Sequence, residues 1–259
     1  MDVLIVGAGS MGTWFGGAVD APVSFADLEP DAAAAAADAV GGDVAALEGG
    51  TTYDVVCLAV PMTHVADAIG EQAGRAERAV IDVSGVMAPA VEAMARHAPD
   101  LERMSLHPLF APERAPGSIA VVRDRSGPVT DALLAALESR GNAVFETTAA
   151  EHDEAMESVQ AAAHAAVLSF ALAAESVPPG FETPIYEGLR RLVERVTGGT
   201  PRVYADIQAT FDGADAVADA AAAVAAADAD DLESLYRAAT TDWQERRDDE
   251  RHDTRGDTE

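Results

Sequence analysis

The chain has six histidines, and one of them, His107, stands directly before a proline in the stretch SLHPLFAP. A neutral imidazole is well suited to accept a proton near neutral pH. Pro108 holds the residue before it extended, which at a strand end aims the ring toward the sheet edge. The same segment also reads as an ordinary strand terminus, so its role depends on what else reaches that edge. The N-terminal run VLIVGAGSMG supplies a candidate neighbour, with Gly7, Gly9 and Gly12 spaced as GxGxxG directly after an apolar stretch. Gly7 permits a tight turn, Gly9 admits a pyrophosphate close to the backbone, and Gly12 lets a helix pack on the strand. Ser10 and Met11 open that helix, whose free N–H groups and dipole attract an anion.

Asp27 closes the next apolar run, twenty residues after Gly7, where a carboxylate accepts hydrogen bonds from a ribose and repels a 2'-phosphate. The expected cofactor is therefore NAD, with Glu29 as the rival acid. Val60 and Pro61, in CLAVPMTH, add backbone contacts at the same edge. Ser84 follows the apolar run AVIDV and, with His107, flanks the place a nicotinamide would take. Farther along, His152, Met156, Gln160 and His164 recur every four residues as a slowly winding helical stripe. His164 is a candidate substrate ligand, whereas His152 reads as a capping or packing residue beside Asp153. Arg195 offers a planar guanidinium for gripping a carboxylate. Its alternative is an exposed helix position facing surface acids, with Arg191 one turn away. A single cysteine, Cys57, excludes an internal disulfide and a cysteine-rich metal site, and no metal is expected.

These residues need a scaffold that gathers strand ends along one edge. Short apolar runs alternate with helical patterns through the first half, which predicts an α/β Rossmann-type unit, a doubly wound and mostly parallel sheet, over residues 1–148. From 149 to 244 the pattern holds no strand signal. One long helix is expected from Ala149 to Glu175, stopped at SVPPG, with others beginning near Pro184, Val203, Asp215 and Asp231. The alanine-rich segment around Ala220 suits a helix packed closely on another. The charged run from 245 to 259 is expected to be a disordered tail.

Composition narrows the function classes. Forty-five acidic residues oppose 17 basic ones, all arginine, for a net charge of -28. Such a surface repels nucleic-acid phosphates and anionic membranes, so neither is an expected partner. It suits concentrated salt, where self-repulsion is screened, and a halophilic source is expected. No apolar run approaches the ~20 residues of a membrane span, and the N-terminus lacks a secretory pattern, so a cytoplasmic location is expected.

Four blocks together resemble the prephenate dehydrogenase family: GAGSMG with Asp27, IDVSG followed by LHPLFAP, TTAAEHDEAMESVQAAAH, and TPIYEGLRRLVERVTGGTPRVYADI. They occur in family order over residues 1 to 210. The resemblance implies NAD-dependent oxidative decarboxylation of prephenate to 4-hydroxyphenylpyruvate, in tyrosine biosynthesis. It makes His107 the base, has Ser84 orient the same hydroxyl, and places Arg195 and His164 on the substrate. A homodimer through the helical domain is also implied, and covering an alanine-rich surface gives it a physical motive. Arogenate dehydrogenase is an alternative, as is a catalytically weak NAD-binding regulatory protein. The chain departs from the family at DVSGVM, where the serine of the usual D..S.K segment is displaced by one and Met87 replaces the lysine. Glu187 stands where relatives can be basic, and Ala111 where glycine is usual.

Overall fold

The computed structural model describes residues 1–178 and 180–253. Four consecutive buried apolar residues form β1, Val3–Val6, and a strand apolar on both faces has to be covered on both. The chain continues through α1 (Ser10–Ala18), β2 (Val23–Ala26), α2 (Pro30–Val40) and the two-residue β3 (Asp43–Val44). It then crosses to β4 (Tyr53–Leu58), α3 (Val65–Gln72), β5 (Ala76–Asp82), α4 (Ala88–His97) and β6 (Glu102–Pro108). These six strands are parallel. β7 (Ser118–Arg125) returns antiparallel to β6, and α5 (Pro128–Ser139) leads to β8 (Ala143–Glu146), parallel to β7.

The 8-stranded sheet has the order β3-β2-β1-β4-β5-β6-β7-β8. Winding reverses between β1 and β4, so a crevice opens at their carboxyl ends. Alternate residues feed two core layers. Val3, Ile5, Phe25, Cys57 and Ile81 meet Phe15 of α1 and Leu133 of α5 on one face. Leu4, Val6, Val56, Leu58 and Val80 meet Ile69 of α3 and Met94 of α4 on the other. The second layer also takes in Met156, Ala161, Ile207 and Phe211, so the helical half docks on the α3 and α4 side.

That half begins with α6 (Ala149–Met156), started by a capping box in which Thr148 and Glu151 satisfy each other's backbone groups. A π-helical turn, Glu157–Ala162, separates it from α7 (Ala163–Ala173). Then follow α8 (Pro184–Thr197), α9 (Pro201–Thr210), α10 (Gly213–Ala226) and α11 (Ala229–Asp253). Two expectations change. The single helix read from Ala149 to Glu175 is interrupted by the π turn, where α10 comes so close that a Cβ on Gly213 would lie 2.1 Å from the Glu157 carbonyl oxygen. The charge run is helical through Asp253 rather than irregular from 245, since Gln, Glu and Arg favour helix without needing to pack. Residues 254–259 lie outside the described residues. Among the described residues no helix is long and apolar enough to cross a membrane.

Candidate active site

The cofactor crevice is built from backbone that only glycine permits. Gly7 has φ 101°, and a Cβ there would sit 2.4 Å from the Ala59 carbonyl oxygen of the neighbouring crossover. At Gly12 a Cβ would come within 2.0 Å of the Gly7 oxygen, so these two glycines lock helix against turn. Gly9 differs, because nothing lies within 4 Å of the place its Cβ would take. No side chain caps α1 and its first turn holds no acid, which leaves the N–H groups around Ser10 and Met11 facing that open side. Asp27 braces the turn, accepting from the Ala8 N–H at 2.6 Å and the Glu29 N–H at 2.9 Å. Val60, half-buried, and Pro61, exposed, lead from β4 into a short 3-10 turn at Met62–His64. The residues present thus fit a dinucleotide.

His107 lies buried at the end of β6. Its Nδ1 is 2.8 Å from Nε2 of His152 on α6, and Nδ1 of His152 is 2.7 Å from Oδ1 of Asp153. Asp153 in turn accepts the Met87 N–H at 3.0 Å and the Ala88 N–H at 2.9 Å, the first donors of α4. Burial, and next the proximity of His152, push the His107 imidazole well below its ordinary range, while Asp153 pulls it back only in part. The ring is therefore neutral at rest. On its other edge, Nε2 is 3.4 Å from the amide nitrogen of Gln160, which the π turn carries. Gly85, with φ 91°, runs beside it, and a Cβ there would lie 3.2 Å from Nε2.

Ser84 turns elsewhere. Its hydroxyl donates to Oδ2 of Asp82 at 2.6 Å, and its N–H donates to the same oxygen at 3.1 Å. Burial pushes the Asp82 carboxyl up to about 6, against the pull of the hydroxyls of Ser105 and Ser84. His164, half-buried on α7, packs edge-on to Tyr204 of α9 with ring centroids 4.8 Å apart, and its Nδ1 is buried without a partner. Arg195 is exposed on α8, and the side-chain hydrogen bonds of α8 stay within that helix and its Thr183 cap. The structure thus gathers His107, Ser84 and the crevice glycines at one edge, and His164 on the helical half, while Arg195 faces outward.

A protein of Streptomyces pristinaespiralis, a 4-amino-4-deoxyprephenate dehydrogenase, is 34% identical over 234 residues, covering 83% of this chain and 78% of its own. The chain belongs to the prephenate dehydrogenase family. No family model matches it. Among solved structures, the prephenate dehydrogenase of A. aeolicus with hydroxyphenyl propionate and NAD+ superposes at a TM-score of 0.70, with 15% identity, covering 100% of this chain and 98% of that one. The Synechocystis arogenate dehydrogenase gives a TM-score of 0.59 at 17% identity, covering 95% of this chain and 99% of that one. Both share the fold of this family member.

Three residues around the imidazole escaped the sequence reading as functional groups. Asp153 was named only as a neighbour of His152, and His152 only as a cap or packing residue. Gln160 lay on the same stripe without a role. The available signal was the stripe itself, since residues four apart on a helix share a face and His107 was already in question. Asp82 carried no signal beyond its place at the end of an apolar run.

Proposed function

We propose that the chain is an NAD-dependent dehydrogenase that oxidatively decarboxylates prephenate to 4-hydroxyphenylpyruvate in the cytoplasm. The observation that carries the reading is the buried, neutral imidazole of His107 at the sheet edge where the dinucleotide crevice opens. Gly7, Gly9, Gly12, the first turn of α1 at Ser10 and Met11, Asp27, Val60 and Pro61 would hold NAD, which when bound supplies the hydride acceptor. His107 accepts the proton of the ring hydroxyl as the hydride leaves the same carbon. The bond to the ring carboxylate breaks, carbon dioxide departs, and the proton returns from His107 to the oxygen of the phenol. No net proton is released, and aromatisation makes the reaction downhill. His164 and Arg195 are the proposed substrate ligands of the helical half, Arg195 from an exposed position on α8, while Ser84, its hydroxyl given to Asp82, stands at the same strand edge without a bond to offer the substrate.

A homodimer through the helical half belongs to the same reading. Leu172, Phe181 and Ile185 are 81%, 75% and 79% exposed, beside a cavity of about 430 Å³ lined by Phe170, Val177, Phe181 and Tyr186. Apolar surface of that kind favours covering by a second copy.

The test supplies NAD with prephenate, arogenate or 4-amino-4-deoxyprephenate in concentrated salt and follows reduced-cofactor absorbance. Turnover of prephenate is expected. His107→Asn should lower kcat by roughly 10² to 10⁴, and Arg195→Gln should chiefly raise KM. Preference for either amine-bearing substrate would replace prephenate in the reading. A protein that binds NAD and oxidises none of the three is the regulatory NAD-binding protein instead.

A further inference from the structure

The contact between His107 and His152 holds one proton, and the far end of the line decides which ring owns it. Both oxygens of Asp153 accept backbone N–H groups at the start of α4, where the helix dipole also favours negative charge. Burial alone would raise this carboxyl. The hydrogen bond from His152 and the N–H groups of Met87 and Ala88 outweigh burial and hold it below its ordinary value. An ionised carboxylate only accepts, so the hydrogen between it and His152 sits on Nδ1 of His152. An imidazole that holds its one hydrogen on Nδ1 offers Nε2 as an acceptor, which makes Nδ1 of His107 the donor of the 2.8 Å bond between the rings. Nε2 of His107 is left with its lone pair beside Gly85 and the Gln160 amide.

We propose that His152 and Asp153 are positioning residues for His107. They fix its Nδ1–H tautomer, hold the Nε2 lone pair toward the crevice, and share the charge of the imidazolium that forms while the substrate's proton is held. The rings meet at 71° with centroids 5.0 Å apart, so the two imidazoles engage through one nitrogen each and cannot slide past one another without losing that bond. The helical half thereby sets the protonation state of a residue on the sheet. The inference rests on His107 being the base.

Asp153→Asn tests it, because an asparagine amide can donate to Nδ1 of His152. With its oxygen on the Ala88 N–H and its nitrogen toward His152, the amide inverts both tautomers and puts a hydrogen on Nε2 of His107. The expected result is a fall in kcat on the order of 10³ to 10⁴, with little change in KM. In ¹⁵N NMR of histidine-labelled protein, assigned with His107→Asn, Nε2 of His107 should be unprotonated in the wild type and protonated in Asp153→Asn. A role in capping α4 alone would not move that signal. His152→Gln keeps an acceptor opposite Nδ1 of His107 without Asp153's cap being touched, so it should lose less than tenfold in kcat and retain the wild-type tautomer.

A wild-type Nε2 that carries its hydrogen, or an Asp153→Asn enzyme within threefold of wild-type kcat, overturns the proposal. Full turnover by His107→Asn would instead sink the base assignment itself. Loss of turnover in His107→Asn without loss in Asp153→Asn sinks the positioning role alone.

Discussion

Asp82 is fully buried at the carboxyl end of β5, where ionising its carboxyl is costly. Its carboxyl, raised from 3.8 to about 6 chiefly by burial, binds a proton more tightly in the folded than in the unfolded chain. Its contribution to stability is therefore full below the unfolded value and is lost as pH rises through about 6. Asp82→Asn should accordingly gain on wild type at pH 8, by about 1–3 kcal/mol, and gain much less near pH 4. Thermal unfolding at the two pH values in concentrated salt checks this, and an equal difference at both contradicts it. His107 works in the opposite sense, because a depressed histidine stabilises above its unfolded value of 6.5 and loses that contribution as pH falls.

Gly85 lies against the same imidazole. Its left-handed φ of 91° strains any side chain, and a Cβ would press on Nε2 of His107 from 3.2 Å. Gly85→Ala should cost about 1–3 kcal/mol and lower kcat/KM by roughly 10- to 100-fold, read by denaturant titration and steady-state kinetics. The serine displaced by one in DVSGVM was legible in the sequence. That Ser84 turns its hydroxyl toward a buried Asp82 while Gly85 leaves room beside the imidazole was not, because side-chain direction depends on the left-handed turn at Gly85.

At the scale of elements, the sheet was legible because its strands are apolar on both faces and bounded by breakers, as Val3–Val6 before Gly7 illustrates. β3 is not legible, because two exposed residues after a glycine pair carry no pattern. The π turn was equally invisible. The stripe His152, Met156, Gln160, His164 reads as one unbroken helix, and Gly213, which packs against the widened turn, lies far along the chain. A turn of that kind keeps residues four apart more nearly in line, which is how Gln160 reaches the same imidazole as His152. Gly213→Ala should therefore push α10 off the Glu157 carbonyl, destabilise the protein by about 1–3 kcal/mol, and reduce kcat with NAD affinity unchanged. Urea unfolding and NAD titration check it. A variant as stable and as active as wild type would show that the close approach is incidental.

For the whole molecule, charge and exposed apolar surface pull in opposite directions. A net charge of -28 on 259 residues repels both within the chain and between two copies, while Leu172, Phe181 and Ile185 favour pairing. Salt settles the competition in two distinguishable ways. Screening is nearly complete once the Debye length has shrunk from ~10 Å at 0.1 M to ~3 Å at 1 M. Strengthened burial of apolar surface by excluded ions keeps growing beyond that point and differs between salts. The melting temperature should rise steeply to about 1 M in potassium chloride, where a gain of about 3 kcal/mol would appear as roughly 6–12 °C. Above that, sulfate should continue to stabilise more than chloride at equal ionic strength. If the helical half pairs two copies, melting should also depend on protein concentration, and sedimentation should find a dimer in molar salt that weakens at low salt. A melting temperature independent of concentration, with a monomer at every salt concentration, would leave the apolar face of the helical half to some other partner and remove the dimer from the account.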